Sequence, residues 1–185
     1  MKLVLASCSP QRRAILEQLG VPFEVRPADV PEDAIGQPAA LALEHALRKA
    51  RAAADDPAET VLGVDTVVAL DGDVFGKPPD EEAARGVLTH LAGRTHEVHS
   101  GLAILHEGEE LTASAVTSVT FRPVDAAQVA AYAATGEWRE RAGGYAIQGR
   151  GAALVRRIEG DYLNVVGLPV AVLVDLLPAL LLARR

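Results

Sequence analysis

Lysine is nearly absent from this 185-residue chain: of its eighteen basic residues only Lys2, Lys49 and Lys77 are lysine, and the other fifteen are arginine. The skew marks a bias toward arginine. It makes each internal lysine a question, because a site that needs only positive charge would here usually be filled by arginine. Cysteine is scarcer still. The single Cys8 excludes an intramolecular disulfide framework and a cysteine-rich zinc site. Net positive charge is missing too: a formal charge of −7 and a pI near 5.2 argue against a nonspecific binder of nucleic acid or of anionic membranes. An anionic small ligand stays compatible, provided the basic groups are focused in one cleft. No long apolar run suits a membrane. The stretch from Leu168 to Ala183 carries Asp175 and is interrupted by Pro169 and Pro178, so it fails as a span of about 20 apolar residues and reads as a helix packed on the core. Leu5-Ala6-Ser7-Cys8 has the form of a lipoprotein cleavage box. Only Leu3, Val4, Leu5 and Ala6 separate Lys2 from Ser7, short of the roughly 7–15 apolar residues of a secretory signal. A cytoplasmic location is the expectation.

What is present suits a folded α/β chain. At 49% hydrophobic and 23% charged the sequence can bury a core, and its length fits one domain over residues 1–185 with two lobes. The pattern predicts a buried strand at Lys2–Ala6, a helix from Pro10 closed by Gly20, and a strand at Val21–Val25. A helix at Ala39–Ala54 carries Leu41, His45 and Arg48 around one face, with Lys49 on another. A β-rich run covers Val61–Leu70, and Asp71-Gly72-Asp73 is a hairpin signal. Asp80 caps a helix to about Leu91, strands follow near Thr95–Leu105 and Glu110–Pro123, and Asp125 caps a helix through Ala134. Glu137–Gly151 reads as a loop, Ala153–Ile158 as a strand, Gly160–Gly167 as a loop, and a helix ends the chain. The fold expected is α/β: a central twisted mixed sheet flanked by helices, its hairpins supplying antiparallel pairs.

Five constellations carry chemistry. Ser7-Cys8-Ser9-Pro10-Gln11-Arg12-Arg13 joins a strand to a helix N-terminus, where free N–H groups, two hydroxyls and a guanidinium favour an anion. A capped helix with a solvated arginine pair is the plainer alternative. Asp65 lies inside the apolar run Val61–Leu70. Burying a carboxylate costs several kcal/mol unless it is paired or metal-bound, so Asp65 sits at a strand end facing a cleft or the strand breaks there. It reads as a metal ligand or general base, or else as a turn residue. Gly76-Lys77-Pro78 sets a lysine on a stiff loop, outside any P-loop pattern. Lys49 is a mid-helix lysine that would otherwise be solvated. Gly143-Gly144-Tyr145-Ala146-Ile147-Gln148-Gly149 allows close backbone approach and offers an amide to a base edge, or is a glycine-rich turn. His96 and His99, three apart on a strand, point to opposite faces and argue against a zinc pair. Glu32 and Asp33 lie in an acidic loop, from which Glu32 can join Asp65 around a divalent ion.

Taken in order, these residues resemble the Maf family of nucleoside triphosphate pyrophosphatases. The markers are Leu5-Ala6-Ser7-Cys8-Ser9-Pro10-Gln11-Arg12-Arg13, Glu32, Arg48-Lys49-Ala50, Gly63-Val64-Asp65-Thr66, Gly76-Lys77-Pro78, Thr95-His96-Glu97-Val98, Gly144-Tyr145-Ala146-Ile147-Gln148-Gly149 and Val166-Gly167-Leu168-Pro169. The family commonly carries two arginines directly after Ser-Pro. Here the first position is Gln11 and the second Arg12, with Arg13 as the candidate to restore the charge. The resemblance implies an inosine-triphosphate pyrophosphatase-like fold of two lobes around a nucleotide cleft. It implies hydrolysis between the α- and β-phosphates with a divalent cation, Mg or Mn. Asp65 would be the base or hold the metal, Glu32 would help with metal or water, and Lys49 and Lys77 would complete the catalytic set. Ser7, Arg12 and Arg13 would bind phosphate. Arg12, Thr66 and Gln148 would set specificity, resembling the branch that acts on dTTP and UTP. A 7-methyl-GTP pyrophosphatase, or a nucleotide-binding regulator without turnover, is the alternative. The family also implies a homodimer, with no nucleic acid or membrane partner.

Overall fold

The computed structural model describes residues 2–31 and 35–182. Its strands are β1 (Leu3–Leu5), β2 (Phe23–Val25), β3 (Thr60–Leu70), β4 (Asp73–Phe75), β5 (Thr95–His106), β6 (Glu109–Phe121) and β7 (Val155–Glu159). Its helices are α1 (Pro10–Gln18), α2 (Pro38–Ala53), α3 (Glu81–Leu91), α4 (Ala126–Ala133), α5 (Tyr162–Val166) and α6 (Val170–Leu176), with short 3-10 turns at Ala142–Gly144, Gly149–Leu154 and Pro178–Leu182. One mixed sheet runs β2-β1-β3-β5-β6-β7, with β4 also on β3. β1 is parallel to both neighbours, and the remaining pairs are antiparallel. The expected mixed sheet with flanking helices is present. Two expectations fail locally. Gly160–Gly167 is not all loop, because Asp161 caps the short helix α5 by accepting from the Leu163 N–H. The terminal helix begins only at Val170, after Pro169, and stops before Pro178, where proline offers no N–H to continue it, so a 3-10 turn follows. No described helix is long and apolar enough to cross a membrane.

Side chains alternate along β3, and the alternation separates the cores. Val61 packs with Val4, Ala6 and Ala103 under α2, against Ala46, Ala50 and Ala53. On the opposite face, Leu62 and Val64 join Ile15 and Leu16 of α1 and Leu173 of α6. Further along that face, Val68 and Leu70 join Leu88 of α3, Tyr132 of α4 and Phe121. Thr66 is the residue of that face between these two clusters.

Helix α2 lies unusually close to the sheet. A Cβ on Gly63 would sit 2.0 Å from the Ala46 carbonyl oxygen, and one on Gly101 2.3 Å from that of Ala42. Gly101 is the register partner of Asp65 across β3 and β5. The helix can therefore reach the sheet only where both strands lack side chains. Gly63→Ala must push α2 outward, and we expect it to lower the free energy of unfolding by about 1–3 kcal/mol, the usual cost of overpacking. Urea denaturation checks this, and an unchanged midpoint would show that the helix has slack there.

Candidate functional site

Strand β3 has a gap along one edge. β1 pairs with it only as far as Leu62, and β4 takes up the same edge from Val68 onward. Between these points the edge is open, and a cavity of about 390 Å³ occupies the opening. Asp65 and Thr66 line it from the two faces of the strand, with Ser7 and Arg12 from the β1–α1 connection, Lys49 from α2 and Lys77 from the loop after β4. Six of the nine expected site residues thus meet around one space. Glu32 lies outside the described residues. Arg13 is exposed and does not line the cavity, because one step along α1 turns it away from Arg12. Gln148 is also exposed and outside the lining, although Tyr145, three residues earlier, forms part of the wall.

Asp65 is neither at a strand end nor at a break. β3 runs through it, and the residue is only 5% exposed. It is compensated instead. The Lys49 ammonium donates to Oδ1 at 2.5 Å, and His45 Nδ1 lies 3.1 Å from Oδ2. Lys49 does not share the solvated side of α2. It is four residues from His45, so both project from one face, and both are buried. His45 is the residue that sequence reasoning passed over. The available signal was its i, i+4 spacing to Lys49 on a helix whose Ala42-Ala46-Ala50 stripe must face a sheet.

Arg12 knits the phosphate loop to its surroundings. Its Nη1 donates to Ser7 Oγ at 2.9 Å, its Nη2 to Thr66 Oγ1 at 3.1 Å and its Nε to the Gly167 carbonyl at 2.9 Å. Thr66 Oγ1 in turn lies 2.9 Å from Ser100 Oγ. Three separate segments are thereby tied to one guanidinium, which a flexible ammonium would do less well. Ser9 caps α1 through the Arg12 N–H, and Pro10 occupies the first turn, as expected. Lys77 is exposed on the cavity rim, 3.7 Å from the Glu140 carboxylate.

Tyr145 is held from behind. His96 Nε2 lies 2.8 Å from its hydroxyl, and the rings of His96, Phe121 and Tyr145 meet edge to face. Burial pushes the His96 pKa down to about 4 and that of the Tyr145 hydroxyl up. The imidazole is therefore neutral in the folded protein, while the unfolded chain takes up a proton below its ordinary value of 6.5. Its contribution to stability is complete above that value and is lost as pH falls toward 4. We expect the thermal midpoint to drop less steeply across this window in His96→Gln than in the parent. Equal slopes would mean that the folded protein protonates His96 freely.

With this geometry in place, comparisons with known proteins give a consistent result. The family described as Maf-like protein matches residues 2–180. A protein of Symbiobacterium thermophilum named dTTP/UTP pyrophosphatase is 48% identical over 171 residues, covering 91% of this chain and 88% of the relative. Proteins of the same name from Moorella thermoacetica and Deinococcus radiodurans are 49% and 46% identical, covering 95% of this chain in each case and 93% and 91% of the relatives. On the extent of these matches, and on the ordered markers that converge on one cavity, the chain belongs to the Maf-like protein family.

Proposed function

We propose that this protein hydrolyses nucleoside triphosphates, dTTP and UTP foremost, to the monophosphate and pyrophosphate. The observation that carries the reading is the buried Asp65–Lys49–His45 cluster at the open edge of β3, facing a cavity that Arg12 and Lys77 also line. A triphosphate brings about four negative charges into an acidic protein. One opposite charge at 4 Å is worth ~4 kcal/mol at an effective dielectric of 20, so a few focused cations outweigh the net repulsion. The names of the relatives point to the same chemistry.

Water attacks the α-phosphorus and pyrophosphate leaves. Positioning and charge neutralisation dominate such transfers. Asp65 orients the water and takes its proton. Lys49 holds the carboxylate in place, Lys77 meets the phosphate chain, Ser7 donates to it, and Arg12 braces the loop beneath it. In this reading Arg12 and Thr66, joined by the hydrogen bond between them, discriminate the base or sugar.

The donor set fits a magnesium-type cation. Such an ion needs only one or two carboxylates beside substrate phosphates, and Asp65 can supply one. Among the described residues no cluster of three His, Cys, Asp or Glu side chains forms a protein cage. When bound, the cation neutralises charge on the phosphate chain. Pyrophosphate release, measured with Mg²⁺ and with Mn²⁺ on dTTP, UTP, dCTP, GTP and 7-methyl-GTP, tests the reading. Turnover of dTTP and UTP ahead of the others is expected. Tight dTTP binding without release from any of the five would make the protein a nucleotide-binding regulator instead.

A further inference from the structure

Position 11 poses a problem of charge. Where the family resemblance leads one to expect an arginine there is Gln11, and Arg13 is turned away from the cavity. A guanidinium nevertheless stands at this point. It comes from 130 residues further along the chain: Arg141 lines the cavity, and its Nη1 donates to Gln11 Oε1.

The local backbone delivers it. Glu140 adopts the left-handed conformation at φ +57°, unusual for a residue with a Cβ, and Arg141 then leads into the 3-10 turn Ala142–Gly144. That turn is fastened to the Lys77 loop by the Gly143 N–H donating to the Gly76 carbonyl at 3.1 Å. Gly143 itself has φ +69°, and a Cβ on it would press on Val68. Arg141 and Lys77 are thus carried by two connections tied together, facing the N-terminus of α1.

The hydrogen bonding of Arg141 is incomplete. Among the described residues it forms no ion pair with a carboxylate, and its buried Nε has no hydrogen-bond partner. A buried donor left unpaired costs about 1–3 kcal/mol. Burial also disfavours the charge on this guanidinium. A planar five-donor cation with only a neutral amide as partner, half-buried in the wall of a cavity, is suited to an anion that accepts from it in a bidentate manner.

We propose that Arg141, steered by Gln11, binds the distal, pyrophosphate part of the substrate's phosphate chain and supplies from the 140–144 segment the charge that position 11 lacks. Gln11 is then a positioning residue: its amide oxygen accepts from Nη1 and aims the fork without neutralising it. The proposal rests on the nucleotide reading above and deepens it.

Calorimetric binding of inorganic pyrophosphate and of thymidine monophosphate to the parent protein and to Arg141→Gln, both with Mg²⁺, tests it. Loss of a charge-assisted bidentate contact should weaken pyrophosphate binding by about tenfold or more, with the monophosphate changed by less than about twofold, since it lacks the distal phosphates. Unchanged pyrophosphate affinity would overturn the proposal. So would an equal weakening of both ligands, which would mark a merely structural role. If Arg141→Gln does not fold, the parent carries the test: pyrophosphate should protect Arg141 from phenylglyoxal, read by peptide mass, and an unchanged modification rate would overturn the assignment. The two readings fail separately. A parent that hydrolyses dTTP beside an Arg141→Gln variant that binds pyrophosphate normally discards Arg141 alone. A parent that releases no pyrophosphate from any triphosphate discards the enzymatic reading.

Discussion

Asp65→Asn should lower pyrophosphate release from dTTP by about 10²–10⁴-fold, the usual contribution of a positioned general base, with little change in KM. The amide keeps the shape of the side chain but cannot accept a proton from water. It also loses the charge that meets Lys49 at 2.5 Å and His45 at 3.1 Å. An interaction made only in the transition state lowers kcat and kcat/KM together. A steady-state comparison with Mg²⁺, at a temperature where both proteins are folded, makes the measurement. Equal kcat values would remove Asp65 from the chemistry. A raised KM with kcat intact would make it a binding residue only.

Lys49→Met should be the most destabilising single change at the site. It removes the nearest countercharge from the buried Asp65 carboxylate, with His45 as its other hydrogen-bonded neighbour. Breaking a buried ion pair from one side costs about 3–5 kcal/mol, whereas removing both charges together can be nearly neutral. The double variant Lys49→Met/Asp65→Asn should therefore be more stable than Lys49→Met alone, and still inactive. Chemical denaturation of the four proteins closes the cycle. Additive losses would mean that the two charges do not depend on each other. The close approach of α2 to the sheet at Gly63 and Gly101 and the pairing of Lys49 with Asp65 are two aspects of one arrangement: the cluster forms because the helix can come that close.

Much of this was legible from residues alone. The Asp71-Gly72-Asp73 turn, the caps at Ser9, Asp80 and Asp125, and the long strands on either side of Glu107-Gly108 are local features, set by turn chemistry and alternation. The ordered motifs placed Ser7, Arg12, Lys49, Asp65, Thr66 and Lys77 in one candidate site, and they line one cavity. The scarcity of lysine also acquires a reason at position 49. There a compact ammonium fits beside Asp65 in a buried space, and a guanidinium with its rigid fork is the larger group. At position 77 the lysine is exposed beside Glu140, and its scarcity alone explains nothing further.

Sequence by itself determined most of the elements, their order and six of the nine expected site residues, because these depend on short-range pattern. Only the tertiary structure decided how the charges are partnered. Asp65 was expected at a strand end or a break, yet β3 continues through it, because the cost of burying a carboxylate is offset by a helix 16 to 20 residues earlier in the chain. His45 carried no signal by type, and Arg13 and Gln148 appeared suitable by position until the docking of α1 and the 145–149 segment turned them outward. Arg141 reaches Gln11 across 130 residues. Which ions meet in a fold is set by where packed backbones cross, here at Gly63 and Gly101 and at the gap between β1 and β4, and those crossings are long-range contacts that no local pattern contains.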